Sequence, residues 1–200
     1  KNLISETALV IDLLHMMAQV GLNPIMKQTG GHLRQPGPPT HDGLLFADHN
    51  PKEGKATLGL INRMIADTNE GQYATPEDEL RQCWHDDMLW WGPTGIGATY
   101  TIDRYIQQHQ KPFRTQNEGR RFNGHICRMA EGNYGGFFGW PNLSLRPSAG
   151  YMGMPPYHDF ADMRVVDIYR RKSDKLAENW VFIDLLHFLN MQGHDILGQI

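Results

Sequence analysis

The chain has 200 residues, enough for one substantial hydrophobic core or for one domain with an appended segment. A composition of 40% hydrophobic and 20% charged residues is ordinary for a globular protein, and a formal net charge of -3 gives no reason to expect a nucleic-acid or membrane-surface partner. No run of 18 apolar residues occurs, and the two cysteines, Cys83 and Cys127, lack metal-ligand spacing. We therefore expect a cytoplasmic protein with reduced cysteines, no membrane span and no bound metal.

The pentapeptide IDLLH occurs twice, at residues 11–15 and again at residues 183–187. The match extends outwards, because each copy has a glutamate five residues before it and a glycine six residues after its end. A separation of 172 residues is about one domain length, which excludes a short solenoid repeat. We interpret residues 1–26 as the tail element of a preceding, similar domain or as a swapped strand, so that the chain is part of a longer protein.

Residues 27–55 are rich in glycine, proline and polar side chains, which is typical of a linker or of an arm that follows the protein surface. Compact domains rarely contain loops of this length, so a domain boundary is expected here. The main domain is predicted to cover residues 56–200.

The first part of this domain is predicted to be mainly helical. Apolar residues at helical spacing predict one helix that ends at Gly71, and Thr75 is typical of the N-cap of a second, short helix. A strand is predicted over residues 86–91. A third helix is predicted over residues 101–110, ending before Pro112.

The second part is predicted to consist of strands. Segments 120–130 and 134–141 flank a glycine-containing hairpin signal, and segments 163–171 and 175–188 are joined by a short polar turn. Helices followed by a run of strands indicate an α+β fold, with one curved antiparallel sheet wrapped over the N-terminal helices in the shape of a cone.

Asp184 is the first candidate for chemistry, because it lies in a strongly apolar segment where an ionised carboxylate is costly to bury without a partner. Desolvation raises the pKa of such a group, which suits a general acid/base near neutral pH. On strand alternation Trp180 and Phe182 share its face and would form an aromatic floor for a substrate. The alternative is that Asp184 caps a helix, and the repeat at Asp12 favours that alternative.

Asp167 and His125 are the second and third candidate catalytic residues. Asp167 alternates with apolar neighbours in a strand, so it faces either the cavity or an arginine such as Arg128 on an adjacent strand. His125 is predicted on a strand, where an imidazole has a pKa near working pH. Its alternative role is a structural hydrogen bond.

Three further residues are predicted to contact a substrate. Trp91 and Trp140 belong to a dense set of aromatic residues, of which most are expected in the core and one or two in the pocket. Asp87 closes the sequence His85-Asp86-Asp87, which resembles a metal-ligand cluster. Adjacent strand residues point to opposite faces, however, so we predict no metal site and only that one aspartate reaches the pocket.

The order of these elements, together with five segments, resembles the SnoaL-like polyketide cyclases of the nuclear-transport-factor-2-like superfamily. The segments are WWGPTGIG (90–97), KPF (111–113), MAEGNY (129–134), MRVVDIYRR (163–171) and ENWVFIDLLHFLNMQG (178–193). Glu178, Trp180 and Asp184 match the close of the last strand in that family. The resemblance covers residues 57–200.

The resemblance implies a cone that encloses an apolar pocket, usually in a homodimer, or here in a pair with a second similar domain. It also implies a cofactor-free cyclase, or a related isomerase or lyase, in which an aspartate, here Asp184, moves the proton of an aldol ring closure on a hydrophobic, polyketide-like ketone. Two alternatives stay open. One is a non-catalytic small-molecule-binding or dimerisation module. The other is a hydrolase or dehydratase that uses an Asp–His pair.

Overall fold

The computed structural model describes residues 3–4, 7–25, 29–31, 34–44 and 46–199. Its helices are α1 (Leu13–Gln19), α2 (Pro51–Glu70), α3 (Pro76–Arg81), α4 (Ile102–Tyr105), α5 (Lys111–Gln116) and α6 (Leu185–Met191). Its strands are β1 (Trp84–Trp91), β2 (Ala98–Tyr100), β3 (Glu118–Phe122), β4 (Cys127–Glu131), β5 (Tyr134–Arg146), β6 (Ala161–Lys172) and β7 (Lys175–Ile183). A π-helical turn (Ile106–Gln110) joins α4 to α5, and a 3-10 turn (Leu197–Gln199) ends the described chain.

The strands form one curved, open sheet in the order β2-β1-β7-β6-β5-β3, with β4 paired to β5. The helices follow the α+β layout that the sequence predicts. One pairing differs from the prediction, because β1 runs parallel to β7 while the other described pairs are antiparallel. A parallel pair needs a long connection, and nearly the whole domain lies between these two strands. The sheet is therefore mixed.

The helix starts agree with their capping signals. The Oγ1 atom of Thr75 accepts a hydrogen bond from the backbone N–H of Asp78 at 3.1 Å, as the sequence predicts for the N-cap of α3. Asn50 caps α2, which begins at Pro51 and ends at Glu70, with Gly71 as its C-cap. The last part of the predicted arm, residues 51–55, is therefore helical.

The prediction that the third helix ends before Pro112 is wrong, since α5 continues to Gln116. The π-helical turn immediately before this proline explains the difference. In a regular α-helix the proline ring clashes with the carbonyl group four residues earlier, whereas the wider π turn displaces that group.

The segment before α2 lies against the outer face of the sheet, opposite the helices, and hydrogen bonds hold it there. The backbone N–H of Thr29 donates to the carbonyl oxygen of Gly95 at 2.9 Å, and the indole Nε1 of Trp180 donates to the carbonyl oxygen of Pro36 at 2.9 Å. Further along, the Tyr134 hydroxyl donates to Asp42. Strand β7 is consequently covered on both faces.

None of the helices in the described ranges is long and apolar enough to cross a membrane. The hydrophobic core lies between the inner face of the sheet and helices α2 to α5, and it continues under α6. Its fully buried residues include Ile61, Met88, Met163, Leu176 and Phe188.

Candidate active site

The inner face of the sheet and the helices enclose a cavity of about 180 Å³. Most of its wall is apolar and comes from the helices and from five strands, β1, β3, β5, β6 and β7. The apolar wall includes Ile65, Trp90, Phe113, Phe137, Val165 and Val181. A mainly apolar cavity that also carries several polar groups is typical of a binding site for a small molecule.

Asp167 lies in the middle of β6 and lines this cavity, together with Val165 and Tyr169. Strand alternation places these three residues on the same face of β6. The Asp167 carboxylate accepts hydrogen bonds from the Asn179 side chain and from the Tyr169 hydroxyl. The predicted alternative, an ion pair with Arg128, is not formed, because that arginine donates to other residues.

Burial sets the charge state of Asp167. Removal from water disfavours the carboxylate and raises its pKa to about 7, although the hydrogen bonds from Asn179 and Tyr169 act in the opposite direction. Burial also raises the pKa values of Tyr105 and Tyr169 far above their usual range, and the nearby Asp167 adds to both shifts. Both phenols are therefore protonated donors beside a carboxyl group that titrates near neutral pH.

His125 also lines the cavity, but it lies in the connection between β3 and β4 rather than on a strand. Its ring stacks on Phe137 with 3.8 Å between ring centroids. The guanidinium Nε of Arg128 donates to His125 Nδ1 at 3.0 Å, which leaves the imidazole proton on Nε2. Burial, helped by the charge of Arg128, lowers the His125 pKa to about 4, so the ring is neutral at pH 7.

The Nε2 atom of His125 is buried and has no hydrogen-bond partner among the residues that the structure describes. A buried N–H group without a partner is costly, and a bound ligand oxygen would remove that cost. Neutral His125 is thus suited to donate a hydrogen bond to a substrate rather than to carry charge.

His109 was not predicted as a site residue, yet it lines the same cavity. It comes from the π-helical turn and stacks on Trp90 at 4.3 Å between centroids. Burial lowers its pKa to about 3, so it too is neutral. Its helical spacing indicated a core-facing residue, and nothing in the sequence indicates the π turn that directs it to the cavity.

A charged group at the edge of the cavity was also missed. Arg114 donates two hydrogen bonds to the Glu79 carboxylate, at 2.7 and 2.9 Å, and Arg120 donates to the carbonyl oxygen of Thr68 at 3.0 Å. The first of these contacts joins residues 35 positions apart in the sequence and the second joins residues 52 positions apart. Only the fold brings them together.

Asp184 lies outside this cavity. It is the N-cap of α6, where its Oδ1 atom accepts from the backbone N–H of His187 at 3.0 Å, and Arg164 lies 3.4 Å from its Oδ2 atom. Asp12 caps α1 in the same way, by accepting from the N–H of His15 at 2.9 Å. The geometry favours the capping role that the repeat suggested, so we do not propose Asp184 as the acid/base.

The predicted substrate contacts also lie elsewhere. Trp180 and Phe182 point to the outer face of the sheet, because the neighbouring residues of β7 at odd positions line the cavity. The correct face could not be chosen from alternation, since β7 is apolar and covered on both faces. Trp140 lies in a groove on the outer face of the sheet, beneath Arg164. Trp91 is next to the cavity residue Trp90 in β1, but it does not line the cavity either.

Asp87 is exposed on β1 and does not line the cavity. Its neighbours in the predicted cluster point to different partners. Asp86 pairs with Arg81 at 2.9 Å, and His85 bonds the carbonyl oxygen of Lys172 at 2.9 Å. In the described part of the chain, no group of three or more His, Cys, Asp or Glu side chains could hold a metal ion.

Capping by Asp184 leads to a stability prediction. Asp184→Ala is expected to lower the free energy of unfolding by about 1 kcal/mol, because the first turn of α6 loses its cap. Asp184→Asn retains a good capping side chain and is expected to change stability by less than about 0.5 kcal/mol. Urea unfolding of the three proteins measures both effects. Equal losses in the two variants would show that the charge, and not the cap, is what matters.

The fold is shared with several solved structures of low sequence identity. A protein from Jannaschia sp. CCS1, provisionally named a SnoaL-like polyketide cyclase, has a TM-score of 0.57 and 15% identity over 73% of this chain and 96% of that chain. IdmH from Streptomyces antibioticus, provisionally named a polyketide cyclase, has a TM-score of 0.52 and 16% identity over 66% of this chain and 98% of that chain. AclR from Streptomyces galilaeus, provisionally named a hydroxylase, has a TM-score of 0.54 and 14% identity over 70% of this chain and 85% of that chain.

No family model and no curated protein matches the sequence. The structural similarity nevertheless agrees with the resemblance read from the five sequence segments. The chain has the SnoaL-like fold of the nuclear-transport-factor-2-like proteins, an α+β fold with a curved sheet over helices.

Proposed function

We propose that this protein is a cofactor-free acid/base enzyme, a cyclase or a related isomerase or lyase, that acts on a hydrophobic, polyketide-like ketone. Asp167 moves the proton. The observation that carries the proposal is the Asp167 carboxyl group, which is buried in the wall of an apolar cavity, without a cationic partner in the described structure, and has its pKa raised to about 7.

A pKa near neutral pH lets one group act as base and then as acid. Ionised Asp167 removes a proton from the carbon next to the substrate carbonyl, and the electrons of the broken C–H bond form an enolate. The enolate carbon attacks a second carbonyl of the same substrate to form a C–C bond. That bond closes the ring, and protonated Asp167 then returns its proton to the new alkoxide oxygen, which gives a hydroxyl group and restores the carboxylate.

Neutral donors are expected to stabilise the enolate oxygen. The Nε2–H of His125 has no partner in the described structure, and the phenol of Tyr105 stays protonated. Donors fixed in a cavity with little water stabilise a developing negative charge more strongly than water-exposed ones. The chemistry requires no cofactor.

The size of the cavity fits the reacting part of such a substrate. An apolar cavity of roughly 150 Å³ holds a benzene ring, and the cavity here is about 180 Å³. One ring of a fused substrate would occupy it, while the rest would extend past Arg114 and Arg120 at its edge. Two of the similar structures are provisionally named polyketide cyclases, which supports this substrate class.

Of the alternatives, a hydrolase or dehydratase with an Asp–His pair has less support. His125 Nδ1 accepts from Arg128, and Asp167 accepts from Asn179 and Tyr169, so these contacts do not join the two candidates. A non-catalytic binding module would need the cavity but not the titration of Asp167. The homodimer and the cytoplasmic location stay predictions.

The experiment follows the first chemical step, removal of a proton next to the carbonyl group, and does not require the natural substrate. The protein is mixed with 2-tetralone, a small bicyclic ketone, in D2O, and exchange of the α protons is followed by NMR. The wild type is expected to accelerate exchange over buffer. Asp167→Asn is expected to lose about 10²- to 10⁴-fold of that acceleration, the usual contribution of a general base.

Asp184→Asn is the matched control, because it makes the same chemical change outside the cavity. It is expected to retain exchange activity. If the wild type binds 2-tetralone but does not accelerate exchange, the protein is a binding module. If Asp184→Asn loses activity and Asp167→Asn retains it, the proposed role of Asp167 is wrong.

A further inference from the structure

The two copies of the repeat fold into the same local structure. α1 and α6 each have seven residues, and each begins directly after a capping aspartate. Each also ends at a glycine with positive φ, 85° at Gly21 and 83° at Gly193. The closing hydrogen bonds match as well, since Leu22 donates to Met17 at 2.9 Å and His194 donates to Leu189 at 3.0 Å. The two copies of the repeat are therefore similar in structure as well as in sequence.

Equivalent positions in the two helices differ sharply in burial. In α6, Leu185 and Phe188 are 3% and 0% exposed and pack into the core of the domain. Their equivalents in α1, Leu13 and Met16, are 39% and 55% exposed. The first copy thus keeps the apolar side chains of a core-facing helix, although the described structure provides no core for them.

The opposite face of α1 is the one that contacts this domain. Leu14 and His15 are 2% and 7% exposed, whereas their equivalents in α6, Leu186 and His187, are only half-buried. Two helices of the same sequence motif therefore use opposite faces. α6 closes the core of its own domain, and α1 packs on the outside of a domain that is already closed.

The two copies also meet. Ile11 and Leu13 line one groove on the outer face of the sheet together with Asp184 and Leu186. When two similar units pair about a two-fold axis, residues near the axis lie beside their own equivalents in the other unit. The contact between the two copies of the repeat therefore agrees with two units paired about such an axis.

We propose that residues 7–22 are the closing segment of a second unit of this fold, which the same polypeptide encodes ahead of residue 1. The exposed face of α1, with Met16, packs into the core of that unit. The face with Leu14 and His15 forms part of a pseudo-two-fold interface, to which α6 contributes Leu186 and His187 in return. The proposal is independent of the proposed function.

A second copy of this chain does not fit the exposed face equally well. The place that α1 would fill in another copy is already filled by that copy's own Phe188 and Leu189, which are fully buried. The required partner is a unit that lacks its own closing helix. A domain directly preceding residues 7–22 in the chain is such a unit.

The experiment measures the accessibility of α1 in the polypeptide that the gene encodes and, in parallel, in the 200-residue chain. Met16→Cys is introduced together with Cys127→Ser, because Cys127 is the exposed native cysteine and Cys83 is buried. Ala66→Cys, on the exposed side of α2, is the matched control. Labelling by a maleimide under native conditions is followed by mass spectrometry of the peptides.

In the natural polypeptide, Met16→Cys is expected to react at least about tenfold more slowly than Ala66→Cys, because a covered side chain reacts only through local opening. In the 200-residue chain the two are expected to react at similar rates. Similar rates in the natural polypeptide, or a gene that encodes no domain ahead of residue 1, would overturn the proposal. Protection in the 200-residue chain that increases with its concentration would show that a second copy covers the face, which also overturns it.

Discussion

Asp167→Asn is expected to make the protein more stable than the wild type at pH 8, while the two proteins have similar stability at pH 3. The pKa of Asp167 is raised from 3.8 to about 7 by burial. Between these two values the folded protein keeps the proton that the unfolded chain has already released. Stability of the wild type therefore falls as pH rises through this window.

The size of the effect follows from the shift. Each unit of pKa difference corresponds to about 1.4 kcal/mol, so a shift of about three units lowers the stability of the wild type by roughly 4 kcal/mol across the window. Asparagine does not titrate, and its side-chain oxygen can still accept from Asn179. The stability of the variant therefore does not fall in this window, and the difference in stability between the two proteins levels off above about pH 7.

Urea unfolding of both proteins at several pH values measures the difference directly. Subtracting the two curves removes the titration of every other group, including the neutral histidines of the cavity. A difference that grows from pH 4 to pH 7 confirms the buried acid. A flat difference would mean that Asp167 is ionised throughout this range, and the proposed proton transfer would lose its physical basis.

Glu178→Gln is expected to destabilise the protein by about 3–5 kcal/mol, because it leaves a buried arginine without its counter-charge. Glu178 on β7 forms an ion pair with Arg170 on β6, and the two are cross-strand neighbours. Their side chains are 1% and 11% exposed. Since water cannot replace the lost carboxylate there, the penalty is much larger than for a surface ion pair.

A double variant separates the charge from the packing. Arg170→Met combined with Glu178→Leu removes both charges and keeps apolar volume, and it is expected to be less destabilised than Glu178→Gln alone. Chemical denaturation of this double variant and of the single variants Arg170→Met and Glu178→Leu gives the coupling free energy. A loss below about 1 kcal/mol in Glu178→Gln would show that Arg170 is solvated despite its position.

The glutamate in this pair is also the first residue of the motif that supported the family resemblance. Its burial on the outer face of the sheet gives this motif residue a structural role, since the pair joins the neighbouring strands β6 and β7. Trp180, the next motif residue on that face, is held by the carbonyl oxygen of Pro36 in the arm. Both motif residues therefore serve the fold and the docking of the arm, and neither lines the cavity.

Local signals in the sequence were sufficient where the physical cause is local. The cap at Thr75 depends on neighbours within three residues, and so do the caps at Asp12 and Asp184. The alternation of β6 left two partners open for Asp167, the cavity and an arginine, and the structure places it in the cavity wall. The SnoaL-like fold followed from the order of such elements and from five short segments.

The cavity face of β7, the π turn that directs His109, and the parallel pairing of β1 with β7 were decided by the tertiary structure. Each depends on contacts between residues that are distant in the chain, and local periodicity does not contain that information. β7 illustrates the reason most clearly. Its two faces are equally apolar, so only the positions of the helices and of the arm determine that Val181 lines the cavity and Trp180 does not.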